Sequence, residues 1–423
     1  MSYDPSGNLA RGLLLKEQRR YAEAEEYIKG ALGSEPNNPF AFHALAACQF
    51  HQEKLTEALD SISQAIALDP NESDHRALKA FILVGAEKKA EARREAQEAV
   101  SLDPHSAYAH CAVAQASMAL EKWPETEEAA RQALSIDPEN VFAGNALAHA
   151  LRLQNKMAEN RAHVDDMLAR DPEDAYTHST AGWAALQSGD TRRAEDHFRE
   201  ALRLDPNMDG AREGLLHSFK ARSVFYRAYL KYCFWMQRLS ERARWAVIIG
   251  LMLGVRFIRP LFTGAAAPIG VAIGALYFLF VLWVHVAQGV GNFILLTDRF
   301  ARYALKFRER IEAVFVGASV LSGIVCLGIG LALSAHIWTI LGSALIGAAF
   351  PFAYTFTNDS KPGAALFGSV GLLALVAGGL EIYASLLPET IDPELVGSIT
   401  TFAIVGVVGT TWLCNVRALN QPM

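Results

Sequence analysis

At 423 residues the chain is too long for a single hydrophobic core, and its length predicts two or more domains. The net charge of −6 hides a split. The first 218 residues carry 36 Asp and Glu against 23 Lys and Arg, and the remainder carries 9 against 16. That asymmetry, with most long apolar runs in the basic part, excludes a uniformly soluble protein and points to an acidic module joined to a membrane domain. Five scattered cysteines (Cys48, Cys111, Cys233, Cys326, Cys414) show no CxxC spacing and cannot all pair, so neither a disulfide framework nor a zinc site is expected, and no cofactor is. The opening MSYDPSGNLARGLLL has an early Asp and no apolar run of signal-peptide length, which predicts that the first half stays on the side where it is made.

The acidic part is periodic. Pro36, Pro70, Pro104, Pro138, Pro172 and Pro206 follow one another at 34-residue intervals within the phrases SEP, LDP, LDP, IDP, RDP and LDP. Each closes an apolar-periodic stretch and precedes helix-starting Asn, Ser or Asp, so each period reads as two helices and a turn. Small residues recur in register. Gly12, Ala46, Ala80, Ala114, Ala148 and Gly182 hold one position, with Ala31, Ala65, Ala99, Ala133, Met167 and Ala201 at a second. Ala24, Ala58, Ala92, Thr126, Asn160 and Ala194 hold a third.

This unit resembles the tetratricopeptide repeat (TPR) family, and the resemblance covers residues 3–216. It implies an all-α solenoid of about six helix–turn–helix repeats, in which each repeat buries its apolar face on the next and presents a concave peptide groove. The departures, Met167 and Asn160, predict looser packing around the fifth repeat. The family's geometry places Phe40, Tyr108, Phe142 and Tyr176 at one groove position and Leu13, Phe81, His149 and Trp183 at a second. Phe50, Val84, Met118, Arg152 and Leu186 fall at a third. Some relatives clamp a peptide's terminal carboxylate with Lys, Asn and Arg. The matching positions here hold Leu9, His43, Ala77 and Leu13, so the resemblance implies an apolar or aromatic segment of a partner protein, aided by His43, Asn145, His149 and Arg152.

Residues 212–244 read as one proline-free helix rich in aromatics, with a basic, aromatic juxtamembrane stretch over 217–244. Arg238, Arg242, Arg244 and Trp245 lie where it meets the first apolar run. Cations and aromatics at that place fit lipid headgroups better than nucleic acid. The transmembrane domain, 245–423, is expected to contain about six spans, at 245–262, 266–288, 313–335, 337–356, 364–387 and 395–414. The first of these is the weakest, with Arg256 and Arg259 near its far end. Between the second and third, residues 297–312 read as an amphipathic basic helix carrying Arg299, Arg302, Lys306 and Arg310. An even number of crossings between two basic stretches favours six spans with both termini cytosolic, in a bacterial inner membrane.

Little in the sequence suggests catalysis. Glu381 is read as the only acid within an apolar segment and is the intramembrane acidic candidate. His285 lacks a second ligand at metal spacing and reads as a satisfied core histidine. Gly317-Ala318-Ser319 superficially resembles the GxS of rhomboid intramembrane proteases, without a base on a separate helix. No P-loop, HExxH, GxSxG or dinucleotide motif is present, and no enzyme is expected. The reading is a membrane-anchored TPR adaptor that binds a partner protein, contacts lipid, and could join a membrane-protein subunit, with no nucleic acid. The alternative is a transporter or channel-like protein with a TPR docking domain.

Overall fold

The computed structural model describes residues 5–258, 261–262, 267–298, 301–356, 358–388 and 390–414, which form twenty α-helices and no strand among the described residues. Twelve of them make six pairs: α1 (Pro5–Glu17) with α2 (Tyr21–Ser34), α3 (Pro39–His51) with α4 (Leu55–Leu68), α5 (Ser73–Gly85) with α6 (Lys89–Leu102), α7 (Ala107–Ala119) with α8 (Trp123–Ile136), α9 (Val141–Leu153) with α10 (Met157–Arg170), and α11 (Ala175–Ser188) with α12 (Thr191–Leu204).

Local chemistry starts and stops these helices. Side chains at Asn38, Ser106, Asn140 and Asp174 accept the amides of Ala41 (3.0 Å), Ala109 (3.1 Å), Ala143 (3.0 Å) and Thr177 (2.9 Å), filling donors that the first helical turn leaves open. Within each pair the reversal is made by a residue with positive φ: Arg19 (60°), Glu53 (61°), Glu87 (59°), Glu121 (57°), Asn155 (63°) and Gly189 (91°), again 34 residues apart. The amide that follows each bonds back over the last turn of its helix, as in Lys54 to Gln49 O (3.0 Å) and Lys156 to Leu151 O (2.9 Å). This is the Schellman closure of a helix C-terminus. Only the last of the six uses glycine, so five turns carry a left-handed side chain.

The described chain forms two compact units, the first comprising Met1–Ala184 and Arg203–Pro206, the second Ala185–Leu202 and Asn207–Met423. In the first unit the recurring small residues are the contact points between helices. Ala24, Ala46, Ala58, Ala65, Ala80, Ala92, Ala99, Ala114, Ala133 and Ala148 are wholly buried. The fifth repeat compensates for its large members. Met167 lies over Gly144, where a β-carbon would come within 2.7 Å of its methyl group, and buried Asn160 donates to Ala148 O. A surface cavity of 580 Å³, lined by Leu134, Gly144, His163 and Met167, opens beside them.

The second unit contains α13 (Asp209–Lys220), α14 (Val224–Gln237), α15 (Glu241–Ile258), α16 (Ala267–Thr297), a 3₁₀ turn (Ala301–Ala304), α17 (Phe307–Ala332), α18 (His336–Thr355), α19 (Lys361–Leu386) and α20 (Pro393–Leu413). Phe198 of α12 is fully buried against Gly214 of α13, which gives the last repeat its cover. Three expectations are corrected here. Residues 212–244 are not one helix but α13, α14 and the start of α15, broken before Val224 and before Glu241. Residues 297–312 are not an amphipathic helix: α16 ends at Thr297, a 3₁₀ turn intervenes, and the next span begins at Phe307. Among the described residues five helices, where six spans are expected, are long and apolar enough to cross a membrane: Pro268–Thr297, Phe307–Ala332, His336–Thr355, Lys361–Leu386 and Pro393–Thr411. Helix α15 falls short because Glu241, Arg242, Arg244 and Arg256 crowd its 18 residues, and charge within a short helix opposes burial in hydrocarbon.

Among the five, α17 and α18 approach each other closely. A β-carbon on Gly342 would meet Gly323 O at 2.7 Å, so the crossing requires the absence of a side chain. Phe350 and Phe352 of α18 pack with Val286 of α16 and Val316 of α17 to fill the centre of this group.

Candidate functional site

The predicted groove residues occupy first helices of the repeats. Phe40 on α3 is 62% exposed, Tyr108 on α7 36%, Phe142 on α9 38% and Tyr176 on α11 57%. Phe81 of α5 connects two of them. Its ring stacks on Tyr108 (centroids 5.4 Å, 27° between planes) and meets the edge of Phe142 (5.7 Å, 82°). Three successive repeats therefore contribute to one aromatic cluster that water still reaches, an arrangement suited to an apolar or aromatic side chain from another molecule. Phe40 stacks on His43, whose Nδ1 lies 3.1 Å from Nδ1 of His75. One imidazole donates to the other, and burial, with His75 and Lys16 nearby, holds His43 down at about 4, so the pair is neutral near pH 7.

The other groove candidates lie deeper. Asn145 is buried, donating Nδ2 to Val141 O (3.0 Å) and accepting at Oδ1 from the Thr180 hydroxyl (3.1 Å). A partner would reach it only by displacing bonds that tie α9 to α11. Arg152 is also buried. His149 is half-buried and meets the edge of Trp123 (5.4 Å), with its Nδ1 buried and lacking a hydrogen-bond partner among the described residues. Trp183 is half-buried on α11.

A polar clasp missed in the sequence recurs across the repeats. Buried Glu25 of α2 accepts from Lys29 (2.6 Å), Gln52 (2.8 Å) and Lys54 (2.9 Å), the last two from the next repeat. Glu127, three periods on, receives Lys156 (2.7 Å), Arg131 and Gln154 at the same offsets. Within the second unit, Glu195 takes Arg222 (2.9 and 3.0 Å). Burial alone would raise the Glu25 carboxyl, but its three donors outweigh it and hold the group at about 2.

The basic candidates of the second unit have several fates. Lys306 pairs with Asp209 of α13 (2.8 Å). Arg310 donates to Leu305 O (3.0 Å), and Arg302 lies over the Tyr303 ring (4.8 Å). Arg238 is at the end of α14, Arg242, Arg244 and Trp245 are on α15, and Arg299 falls outside the described residues. The most buried carboxylate among the described residues has no counterpart in the sequence reading. Glu312 lies in α17, 2% exposed, so Glu381 is not the only acid within a membrane-candidate helix. Asn292 of α16 donates Nδ2 to Glu312 (3.3 Å), while its Oδ1 is buried without a partner among the described residues. Lys220, 6% exposed, runs over Gly291, where a β-carbon would come within 2.8 Å of its Cδ. Burial lowers its ammonium to about 8, and Glu312 pulls the other way. Nearby, Arg212 of α13 forms a bidentate pair with Glu309 of α17 (3.0 and 3.1 Å) and also donates to Ala304 O (3.0 Å). The arrangement fastens α13 to α16 and α17 through desolvated charge. Glu381 sits on α19, lining a cavity taken up below. His285 shares a hydrogen bond with the Tyr354 hydroxyl and meets the Phe350 ring edge at 4.6 Å, as a satisfied interior histidine does.

Tetratricopeptide-repeat family models match residues 15–82 and 175–208. A comparison with curated protein sequences finds no match. Among solved structures, the chain is similar to pilF of Pseudomonas aeruginosa (18% identity, TM-score 0.41, covering 49% of this chain and 95% of that one). It is similar to a tetratricopeptide repeat protein from Parabacteroides merdae (15%, 0.44, 51% and 84%). It is also similar to PilW, described as a type IV pilus biogenesis factor (18%, 0.44, 50% and 98%). With its 34-residue period, paired helices and recurring buried alanines, the N-terminal half of the chain is built of tetratricopeptide repeats.

Proposed function

We propose that the protein is a membrane-anchored adaptor. The repeats receive an apolar or aromatic segment of a partner protein on their first-helix face, and the apolar helices hold the assembly at a membrane. The observation that carries this reading is the row of exposed aromatics at one repeat position, Phe40, Tyr108, Phe142 and Tyr176, joined by Phe81. Large rings left in water at a fixed period are costly to leave uncovered and are the residue type that dominates binding energy at interfaces. In this reading the repeats lie on the cytosolic side of a bacterial inner membrane, with α15 and the basic residues near 302–310 against anionic headgroups. If α15 does not cross, the end of α20 lies on the opposite face from the repeats; if it does, both lie on one face.

The test is a crosslinked pull-down from native membranes with the intact protein and a Phe142→Ala, Tyr176→Ala, Trp183→Ala variant of matching helicity. The expected result is a specific protein recovered by the intact form and lost from the variant. Recovery of the same proteins by both forms would overturn the reading.

A further inference from the structure

Independently of the adaptor reading, the apolar helices border a second place where a ligand fits, open on one side. A cavity of 430 Å³ lies among α18, α19 and α20, bordered by Phe278 of α16. Its walls are mostly small or apolar: Gly347, Ala374, Ala377, Gly378, Ala403 and Val407 among them. Besides Thr339 and Ser343, whose hydroxyls bond back to carbonyls of their own helix, two polar groups break that surface. Glu381 lines it, and among the described residues no hydrogen bond or ion pair engages its carboxylate. Across from it on α20, the Thr400 hydroxyl oxygen is buried and has no partner among the described residues. A serine or threonine in a helix ordinarily bonds back to its own preceding turn, as Ser343 does to Thr339 O (2.8 Å). Thr400 does not.

Access is part of the same geometry. Glu381 and Ile340 also line an adjoining cavity of 300 Å³ with Ser385, Pro388, Ile391 and Pro393, in the connection between α19 and α20. Glu381 is five residues from the end of α19, roughly 8 Å along the helix. A molecule entering from that end meets the carboxylate first and the apolar chamber behind it.

We propose that this cavity binds a lipophilic cation: an amine with an apolar body, its charge held by Glu381, its N–H groups shared with Thr400, and its hydrocarbon seated among the small residues. An anionic molecule would be repelled by the carboxylate, and a neutral apolar one would cover it without supplying a counter-charge, which disfavours both. An inorganic cation would leave the chamber unfilled and find few oxygen ligands.

The experiment uses the full-length protein in nanodiscs, with empty nanodiscs subtracted, and 9-aminoacridine as the fluorescent cationic probe. Anthracene-9-carboxylate, with a similar tricyclic body and the opposite charge, is the control. The expected result is saturable, one-to-one binding of 9-aminoacridine and none of the carboxylate. Glu381→Gln should weaken binding at least tenfold, and Glu381→Asp should restore part of it. Gly347→Leu should abolish it by filling the chamber, since a β-carbon at Gly347 meets no atom within 4 Å and the fold tolerates the side chain. The proposal is overturned if the intact protein shows no saturable binding, if both probes bind alike, or if Glu381→Gln binds as tightly as the intact protein.

Discussion

Replacing Glu25 by Gln keeps the shape of the first inter-repeat clasp and removes its charge. In the intact protein the carboxylate receives Lys29, Gln52 and Lys54 at 2.6 to 2.9 Å, and its side chain is 5% exposed while Lys29 and Lys54 are 55% and 41% exposed. Hydrogen bonds to a charged group contribute more than neutral ones, but the two lysines are free to rehydrate once the charge is gone. The net cost should be about 1–2 kcal/mol, felt where α2 meets α3 and α4. Hydrogen–deuterium exchange resolved by mass spectrometry reads it in the full-length protein: amides of α3 and α4 should exchange roughly 5- to 30-fold faster in the variant at pH 7. The pH dependence is a second handle. Because the folded carboxyl titrates at about 2, below its ordinary 4.5, the clasp contributes fully above about pH 5 and fades as pH falls toward 2. The difference between variant and intact protein should therefore shrink across that window. A variant whose exchange matched the intact protein at pH 7, or whose deficit stayed constant to pH 2, would refute the argument.

Two other substitutions test separate features. Glu53→Gly removes a side chain from a left-handed turn at φ 61°, and should raise local stability of the second repeat by about 0.5–1 kcal/mol, measured by the same exchange of α3 and α4; a loss of stability would contradict the strain assigned to that turn. Arg212→Ala leaves half-buried Glu309 without its bidentate partner and should lower the unfolding temperature of the detergent-solubilised protein, consistent with a loss of about 2–3 kcal/mol. A double variant with Glu309→Gln should recover part of that loss, and strictly additive effects would show that the two residues are not coupled.

The repeats are legible because one physical requirement recurs at a fixed interval. Two helices that cross closely need small residues at the crossing, and Ala46, Ala80, Ala114 and Ala148 stand where the 34-residue period puts them. The exposed aromatics were legible for the same reason. The charged cluster around Glu312 was not, because its members come from three helices and share no period: Lys220 ends α13, Asn292 is late in α16, and Glu312 is early in α17. Read along the sequence, Glu312 belongs to the basic stretch before the apolar run; the fold instead carries the helix back to Phe307 and buries it. The breaks at Ser223 and Ser240 were hidden because serine neither forbids a helix nor demands an end, so the aromatic run read as continuous. The inter-repeat clasp was overlooked for a different reason. Its period is regular, but only Glu25, Glu127 and Glu195 of the six equivalent positions are acidic, and hydrophobic patterning does not report charge.

Helix α16 has 31 residues, about 46 Å of unbroken rod against about 30 Å of hydrocarbon. Lys220 grips it at Gly291, and Phe278 borders the cavity among the apolar helices thirteen residues away, about 20 Å along the same axis. A stiff rod held at one place is a lever. A tilt of about 10° pivoting at the Gly291 contact would displace the axis beside Phe278 by about 3.4 Å, enough to widen or narrow the space there by nearly the width of a methyl group. A tilt of α16 at the polar cluster would thereby change the size of the cavity beside Phe278 with no change in secondary structure.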